Sequence, residues 1–146
     1  MVLDSVEIGV NGRLDTGRGT IMLTMSRYGT RDLARAKIFY DAIAEILGST
    51  RVIDRENVAG YKGAEGGIFM IGTPHTGEAT AGNGTQVGFA ALTRAAVDAA
   101  YAKALELGGK CEGPPGPRGP AEMNYYAAYF RDPDGNKVMV SRQGTD

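Results

Sequence analysis

The stretch Tyr129-Phe-Arg-Asp-Pro-Asp-Gly-Asn-Lys-Val-Met-Val140 decides the fold, because a strong turn signal lies between two apolar segments. In Asp132-Pro-Asp-Gly-Asn136, the proline presets φ, the aspartate side chains can accept hydrogen bonds from nearby backbone N–H groups, and Gly135 tolerates a positive φ. The flanking residues favour β-structure. The sequence therefore predicts an antiparallel hairpin whose second strand carries an apolar residue, Met139.

Two segments of the chain have helical periodicity. Between residues 31 and 47 apolar side chains recur every three or four positions, and Gly48 is suited to the end of a helix. Between residues 94 and 107 the same spacing follows Thr93, a residue type favoured at a helix N-cap. The sequence thus predicts two amphipathic helices of similar length.

Short apolar segments surround each predicted helix in the same order, one strand before it and three strands after it. The predicted strands are 21–28, 51–56, 58–62 and 67–71 in the first copy, and 86–92, 109–112, 123–131 and 137–142 in the second. This order predicts an α+β fold in which two βαβββ modules form a curved mixed sheet around a cup. We expect a single domain over residues 22–143, with modules of about 22–83 and 84–143.

Three further segments are not part of the predicted helices and strands of the two modules: one lies inside the second module, one joins the modules and one precedes both. The Gly/Pro-rich stretch Gly113–Pro120 and the segment Thr73–Gly84 have the composition of loops that rim the cup. Residues 1–21 form an N-terminal extension, in which alternating apolar residues precede Asn11-Gly12 and predict an extra hairpin. An upstream remnant of the reading frame is the alternative for this extension.

Composition excludes several classes of protein. The net charge of −1 and the scattered basic residues give no support for nucleic-acid binding, and no apolar run is long enough to span a membrane. The pI near 5.9 mildly favours neutral or cationic ligands. The lone cysteine, Cys111, has no partner for an internal disulfide, so we expect a cytoplasmic protein in which Cys111 is a small buried hydrophobe.

Three motifs, in order along the chain, carry a resemblance to a known family. They are Asp32-Leu-Ala-Arg-Ala36 leading into Phe39-Tyr-Asp41, the segment Ala79–Ala91, and Asp132-Pro-Asp-Gly-Asn136. Over about Met22 to Arg142 the chain resembles the vicinal oxygen chelate superfamily, which includes glyoxalase I, fosfomycin-resistance transferases, extradiol dioxygenases and bleomycin-resistance proteins. The resemblance implies the two-module fold and a homodimer. It is less specific for activity, because one fold hosts several chemistries.

The resemblance also implies where a metal would be held. In metal-dependent members four inward-facing positions, typically two histidines and two carboxylates, bind a divalent ion. Those positions fall on Met25, near Met70, on Gln86 and on Met139. Thioethers and an amide are weak ligands for such an ion, so we expect no metal and no cofactor. Three methionines would suit Cu(I), but an apolar pocket is the more common use of methionine.

Strand alternation extends the set of residues expected to face the cup. If Met25 faces inward, Arg27 does too; the strand that pairs with Met139 then directs Tyr125 and Tyr129 inward and Phe130 toward the helices. The only histidine, His75, lies in the segment between the modules and is expected at the surface. The predicted ligand-binding residues are Met25, Arg27, Met70, Gln86, Tyr125, Tyr129 and Met139.

These residues predict a metal-independent protein of the glyoxalase/bleomycin-resistance type that binds or sequesters a small organic ligand, with aromatic compounds among the candidates. No catalytic residue is predicted. The alternative is a metal-dependent lyase, isomerase or dioxygenase of the same superfamily, with its ligands at other positions. A third hypothesis is an interaction module whose own side chains fill the cup.

Overall fold

A computed structural model describes residues 21–146 in full and, before them, only the backbone of two short strands. These are β1 (Glu7–Ile8) and β2 (Leu14–Asp15), which pair antiparallel with Ile8 opposite Leu14. The pairing confirms the predicted N-terminal hairpin. The predicted Asn11-Gly12 turn lies outside the described residues.

The first module has the predicted order of one strand, one helix and three strands. Its elements are β3 (Met25–Gly29), α1 (Leu33–Ile46), β4 (Thr50–Asp54), β5 (Val58–Lys62) and β6 (Ile68–Gly72). They form a four-stranded sheet in the order β3-β6-β5-β4. Strands β3 and β6 are parallel, and the other neighbouring strands are antiparallel.

The second module repeats this topology. Its elements are β7 (Val87–Ala90), α2 (Arg94–Glu106), β8 (Lys110–Arg118), a 3₁₀ turn (Ala121–Met123), β9 (Tyr125–Arg131) and β10 (Lys137–Gln143). The sheet order is β7-β10-β9-β8, and again the first and last strands of the module are parallel. The α+β class and the two βαβββ modules are therefore confirmed. No helix among the described residues is long and apolar enough to cross a membrane.

Both helices begin at side chains that accept hydrogen bonds from the first turn. The Asp32 carboxylate accepts from the backbone N–H of Arg35 at 3.0 Å, and the Thr93 hydroxyl accepts from that of Ala96 at 3.0 Å. Each bond satisfies an N–H group that has no partner within the helix. The N-cap predicted at Thr93 is confirmed. The N-cap of α1 is Asp32, so this helix begins two residues later than predicted.

One apolar core joins the two modules on the helix side of the sheets. The ring of Phe39 on α1 packs against Phe130 on β9, with centroids 6.0 Å apart. The neighbouring Tyr40 packs against Phe69 on β6 at 4.8 Å and Phe89 on β7 at 6.4 Å. Phe130 is fully buried, as predicted. Because the core takes up this face of each sheet, the opposite faces are left for a site.

The Asp-Pro-Asp-Gly-Asn turn connects the modules as well as two strands. Its Asp134 carboxylate accepts hydrogen bonds from the Thr30 hydroxyl at 2.5 Å and the Arg31 backbone N–H at 2.9 Å. The Asn136 amide donates to the carbonyl of Gly29 at 3.0 Å. Gly135 has φ of +92°, which glycine adopts without steric cost. The turn of the second module thus fixes the entry to α1 in the first.

Two predictions about the second module are wrong. The stretch Gly113–Pro120 is not a loop, because strand β8 runs through it as far as Arg118. Strand β8 is an edge strand with register shifts between Cys111 and Gly116, and an edge strand tolerates prolines that cannot donate on its free side. Cys111 is exposed rather than buried. The segment Thr73–Gly84 has no helix or strand, as predicted.

Candidate functional site

The open face of the second sheet carries four of the seven predicted ligand-binding residues. Met139 on β10 lies directly across from Tyr129 on β9, and their neighbours Val138 and Phe130 face the core. Tyr125 lies further along β9 with the same alternation, and Gln86 immediately precedes β7, which pairs with β10. We call Gln86, Tyr125, Tyr129 and Met139 the tyrosine–methionine cluster.

The Met139 sulfur is the centre of this cluster. The Tyr125 hydroxyl donates to it at 3.5 Å, and the Gln86 amide nitrogen lies 3.8 Å from it. Gly88 makes room for the side chain, because a Cβ atom at that position would lie 2.8 Å from Cε of Met139. The sequence predicted these four residues on one face, and the structure brings three of them into contact.

Two cations lie against the Tyr129 ring, and sequence reasoning missed both. The Arg118 guanidinium carbon is 5.7 Å from the ring centroid, and the Lys137 ammonium nitrogen is 5.5 Å from it. Both distances are in the range of a cation–π contact. The Arg118 guanidinium also donates to the carbonyls of Pro114 at 2.5 Å and Pro117 at 3.1 Å, which fixes its position along β8.

An ion pair lies at the edge of the same face. Nε of Arg131 is 2.6 Å from a carboxylate oxygen of Glu112, and the same guanidinium donates to the carbonyl of Gly135 at 3.0 Å. The hydrogen bond from Arg131 lowers the pKa of the Glu112 carboxyl, with smaller contributions from the Arg131 and Lys137 charges. Glu112 is therefore held as an anion next to Arg131.

The other three predicted residues, Met25, Arg27 and Met70, lie on the first sheet. Arg27 on β3 is directly across from Met70 on β6, and Met25 is half exposed at the start of β3. The Arg27 guanidinium donates to the carbonyl of Thr73 at 2.8 Å. In the part of the chain that the structure describes, no hydrogen bond, ion pair or ring contact joins these three residues to the tyrosine–methionine cluster.

Two cavities lie outside the tyrosine–methionine cluster. One, of about 370 Å³, is at the end of β3 and includes Arg27 among its lining residues. The other, of about 610 Å³, lies on the helix side between α1, the loop before β6 and the edge of β7, and it includes none of the seven predicted residues. Neither cavity is lined by a residue of the tyrosine–methionine cluster, which lies on an open sheet face.

Comparison with known proteins identifies the family of this fold. Residues 21–140 match the model of the Glyoxalase/Bleomycin resistance protein/Dioxygenase superfamily. The chain belongs to this superfamily. The family resemblance drawn from the three sequence motifs is confirmed.

Solved structures of other superfamily members agree with this assignment. A glyoxalase/bleomycin resistance protein from Albidiferax ferrireducens T118 is 39% identical, with a TM-score of 0.76 over 83% of this chain and 98% of that chain. A glyoxalase-related enzyme from Fulvimarina pelagi shares the fold at 14% identity, with a TM-score of 0.65 over 82% and 86% of the two chains. A fosfomycin resistance protein from Mesorhizobium loti does so at 18%, with a TM-score of 0.58 over 85% and 92%. No curated protein sequence matches the chain.

The positions at which the superfamily resemblance implies metal ligands do not fit a divalent metal ion in this member. They carry Met25, Met70, Gln86 and Met139, which supply neutral sulfur and amide donors. Such an ion requires imidazole, carboxylate or thiolate ligands to offset its dehydration. No group of three histidine, cysteine, aspartate or glutamate side chains elsewhere in residues 21–146 is arranged to hold one. Instead, the Met139 sulfur accepts a hydrogen bond from the Tyr125 hydroxyl and lies 3.8 Å from the Gln86 amide nitrogen.

Proposed function

We propose that this superfamily member binds a small organic molecule on the open face of its second module without a metal ion. The observation that carries the proposal is the contact of Tyr125 and Gln86 with the Met139 sulfur, directly beside the Tyr129 ring. Methionine supplies a polarizable apolar floor, and tyrosine supplies a flat apolar surface with a polar tip. This combination is typical of sites for small organic ligands.

Donor chemistry supports the metal-free form of the proposal. A ligand that packs on Met139 and Tyr129 gains from burial of apolar area, which does not require a charged ion in the site. Elemental analysis of protein purified without chelator tests this directly. We expect substoichiometric zinc, iron, manganese, nickel and copper; one tightly held ion per chain would contradict the proposal and favour a metal-dependent lyase, isomerase or dioxygenase.

Ligand binding is tested by thermal shift with a set of aromatic compounds, each measured with and without chelator. We expect some of them to raise the melting temperature equally in both conditions, because ligands that bind only the folded state stabilise it. If no compound raises the melting temperature, or if chelator abolishes every increase, the proposed function is contradicted.

We also propose a homodimer, as the superfamily resemblance implies. Four apolar residues at the start of the first module support it, because they expose between half and nine-tenths of their surface. They are Ile21, Met22, Leu23 and Met25. Contiguous exposed apolar surface is a frequent mark of an interface between chains. Light scattering after size-exclusion chromatography would test this, with a monomer as the contradicting result. The cytoplasmic location expected from the lone cysteine stays a prediction.

A further inference from the structure

Two positive side chains flank the Tyr129 ring of the tyrosine–methionine cluster. In the described residues neither Arg118 nor Lys137 forms an ion pair, although both lie within 6 Å of the Tyr129 ring centroid. Among the described residues, the Arg118 side chain donates hydrogen bonds only to two backbone carbonyls, so part of its donor capacity is unused there. Glu112 pairs with Arg131 at 2.6 Å rather than with either cation, although the Lys137 charge makes a smaller contribution to lowering the pKa of the Glu112 carboxyl.

A tyrosine on the opposite face of β9 provides a comparison within the same strand. There Arg94 lies over the ring of Tyr126 at 5.0 Å. Its guanidinium donates to the side-chain oxygen of Asn124 at 2.8 Å, and the Tyr126 hydroxyl donates to the carboxylate of Asp98 at 2.7 Å. On that face the cation and the hydroxyl both have side-chain partners, as expected of a structural contact.

On the open face the corresponding groups lack such partners. The Tyr129 hydroxyl makes no hydrogen bond with any described residue, and the Lys137 ammonium makes none either. An ammonium and part of a guanidinium thus lie against the half-buried Tyr129 ring, whose own hydroxyl has no partner among the described residues. Positive side chains prefer a carboxylate, and a guanidinium can bind one with two parallel hydrogen bonds.

We infer that the ligand of this site is an aromatic carboxylate, whose ring packs on Tyr129 and Met139 and whose carboxylate is bound by Arg118 and Lys137. This inference rests on the proposed function, because it assigns a ligand class to the same site. It also reverses the preference for neutral or cationic ligands that the overall pI implies. The charge that decides recognition is local, because exposed charges further away than about 10 Å are screened by salt.

Calorimetric titration with benzoate and benzamide tests the inference, since these probes differ little in shape and differ by one charge. We expect benzoate to bind more tightly. Arg118→Gln and Lys137→Gln should each lower the affinity for benzoate by about tenfold, because each removes one charge-assisted hydrogen bond. Neither substitution should change the affinity for benzamide. Arg94→Gln, which removes the matched cation from the opposite face, should leave both affinities unchanged. Thermal melts of each variant show that it is folded.

The outcomes separate the inference from the function on which it rests. If benzamide binds as tightly as benzoate, and Tyr129→Leu weakens both, the site binds aromatic molecules but the carboxylate assignment is wrong. Unchanged benzoate affinity in both Arg118→Gln and Lys137→Gln would also overturn the assignment. If neither probe binds and no other aromatic compound does, both the assignment and the proposed function are wrong.

Discussion

The hydroxyl of Tyr40 donates a 2.7 Å hydrogen bond to a carboxylate oxygen of Asp132, in a fully buried contact between helix α1 and the turn that follows β9. Burial raises the pKa of Tyr40 well above its ordinary value, and the Asp132 charge adds to this effect. The phenol is therefore a hydrogen-bond donor at neutral pH. This bond holds the first module against the second.

Loss of that hydroxyl is predicted to destabilise the whole fold. Tyr40→Phe leaves a buried carboxylate oxygen with fewer donors, so we expect the free energy of unfolding to fall by about 1–3 kcal/mol in urea denaturation. Tyr61→Phe is the control, because the Tyr61 hydroxyl donates to Asp41 at 2.8 Å and that carboxylate is 41% exposed. Equal losses in the two variants would contradict a special role for the Tyr40–Asp132 bond.

The Asp134 carboxylate is predicted to make stability depend on pH. Burial raises its pKa, but hydrogen bonds from Thr30 and Arg31 outweigh burial and hold the pKa below its ordinary value. Its contribution is therefore fully present above the unfolded carboxyl pKa of about 4 and is lost as the pH falls through the folded pKa. Asp134→Asn should lower the free energy of unfolding by about 1–3 kcal/mol at pH 7 and by progressively less below pH 4, as measured by urea denaturation.

The control for this pH dependence is Glu45→Gln, on the exposed side of α1. We expect that variant to follow the wild-type curve at every pH. A difference between Asp134→Asn and wild type that stays constant down to pH 2 would contradict the assigned carboxylate contribution.

Two glycines make close contacts of different kinds, Gly88 with the Met139 side chain in the second module and Gly67 with the Leu23 backbone in the first. Gly88→Ala places a methyl group against the flexible end of Met139, so we expect a loss of less than about 1 kcal/mol and a displaced Met139 side chain. Gly67→Ala places its methyl group 2.5 Å from the backbone carbonyl oxygen of Leu23. Because backbone cannot move away as the end of a side chain can, we expect the free energy of unfolding to fall by about 1–3 kcal/mol. Urea denaturation of both variants measures this, and the reverse order would contradict the described packing.

The Tyr129 ring is predicted to be the main apolar anchor for ligand. Tyr129→Leu should weaken binding of an aromatic compound by about 1–3 kcal/mol in calorimetric titration, the usual scale for a buried aromatic anchor. Tyr126→Leu removes a ring from the same strand but from the helix side, and we expect it to change stability more than affinity. Unchanged affinity in Tyr129→Leu would remove this residue from the site.

The parts of the fold that depend on local signals were predictable from sequence. The N-cap at Thr93 and the turn at Asp132–Asn136 each depend on residue types with specific backbone preferences. Strand alternation placed Tyr129 and Met139 on one face and Phe130 on the other. The bond between Thr30 and Asp134 joins residues far apart in the chain, which periodicity does not reveal.

The cations of the site were missed for two different reasons. Arg118 lies in a Gly/Pro-rich stretch that was predicted to be a loop, and without a strand there was no alternation from which to place it. Lys137 starts the strand of Met139 two residues earlier, so alternation along β10 was sufficient to find it. Cys111 was predicted buried because of its residue type, but β8 is an edge strand and leaves it exposed.

The most direct test of metal-free binding on the open face is methionine-methyl NMR with a neutral aromatic compound in the presence of chelator. The Met139 methyl reports on the cluster, and the methyls of Met22 and Met123, which are not members of the cluster, serve as internal controls. We predict a saturable shift of the Met139 signal, assigned with Met139→Leu, and no shift of the controls. A Met139 signal that stays fixed, or that moves only after a divalent metal is added, would contradict the account.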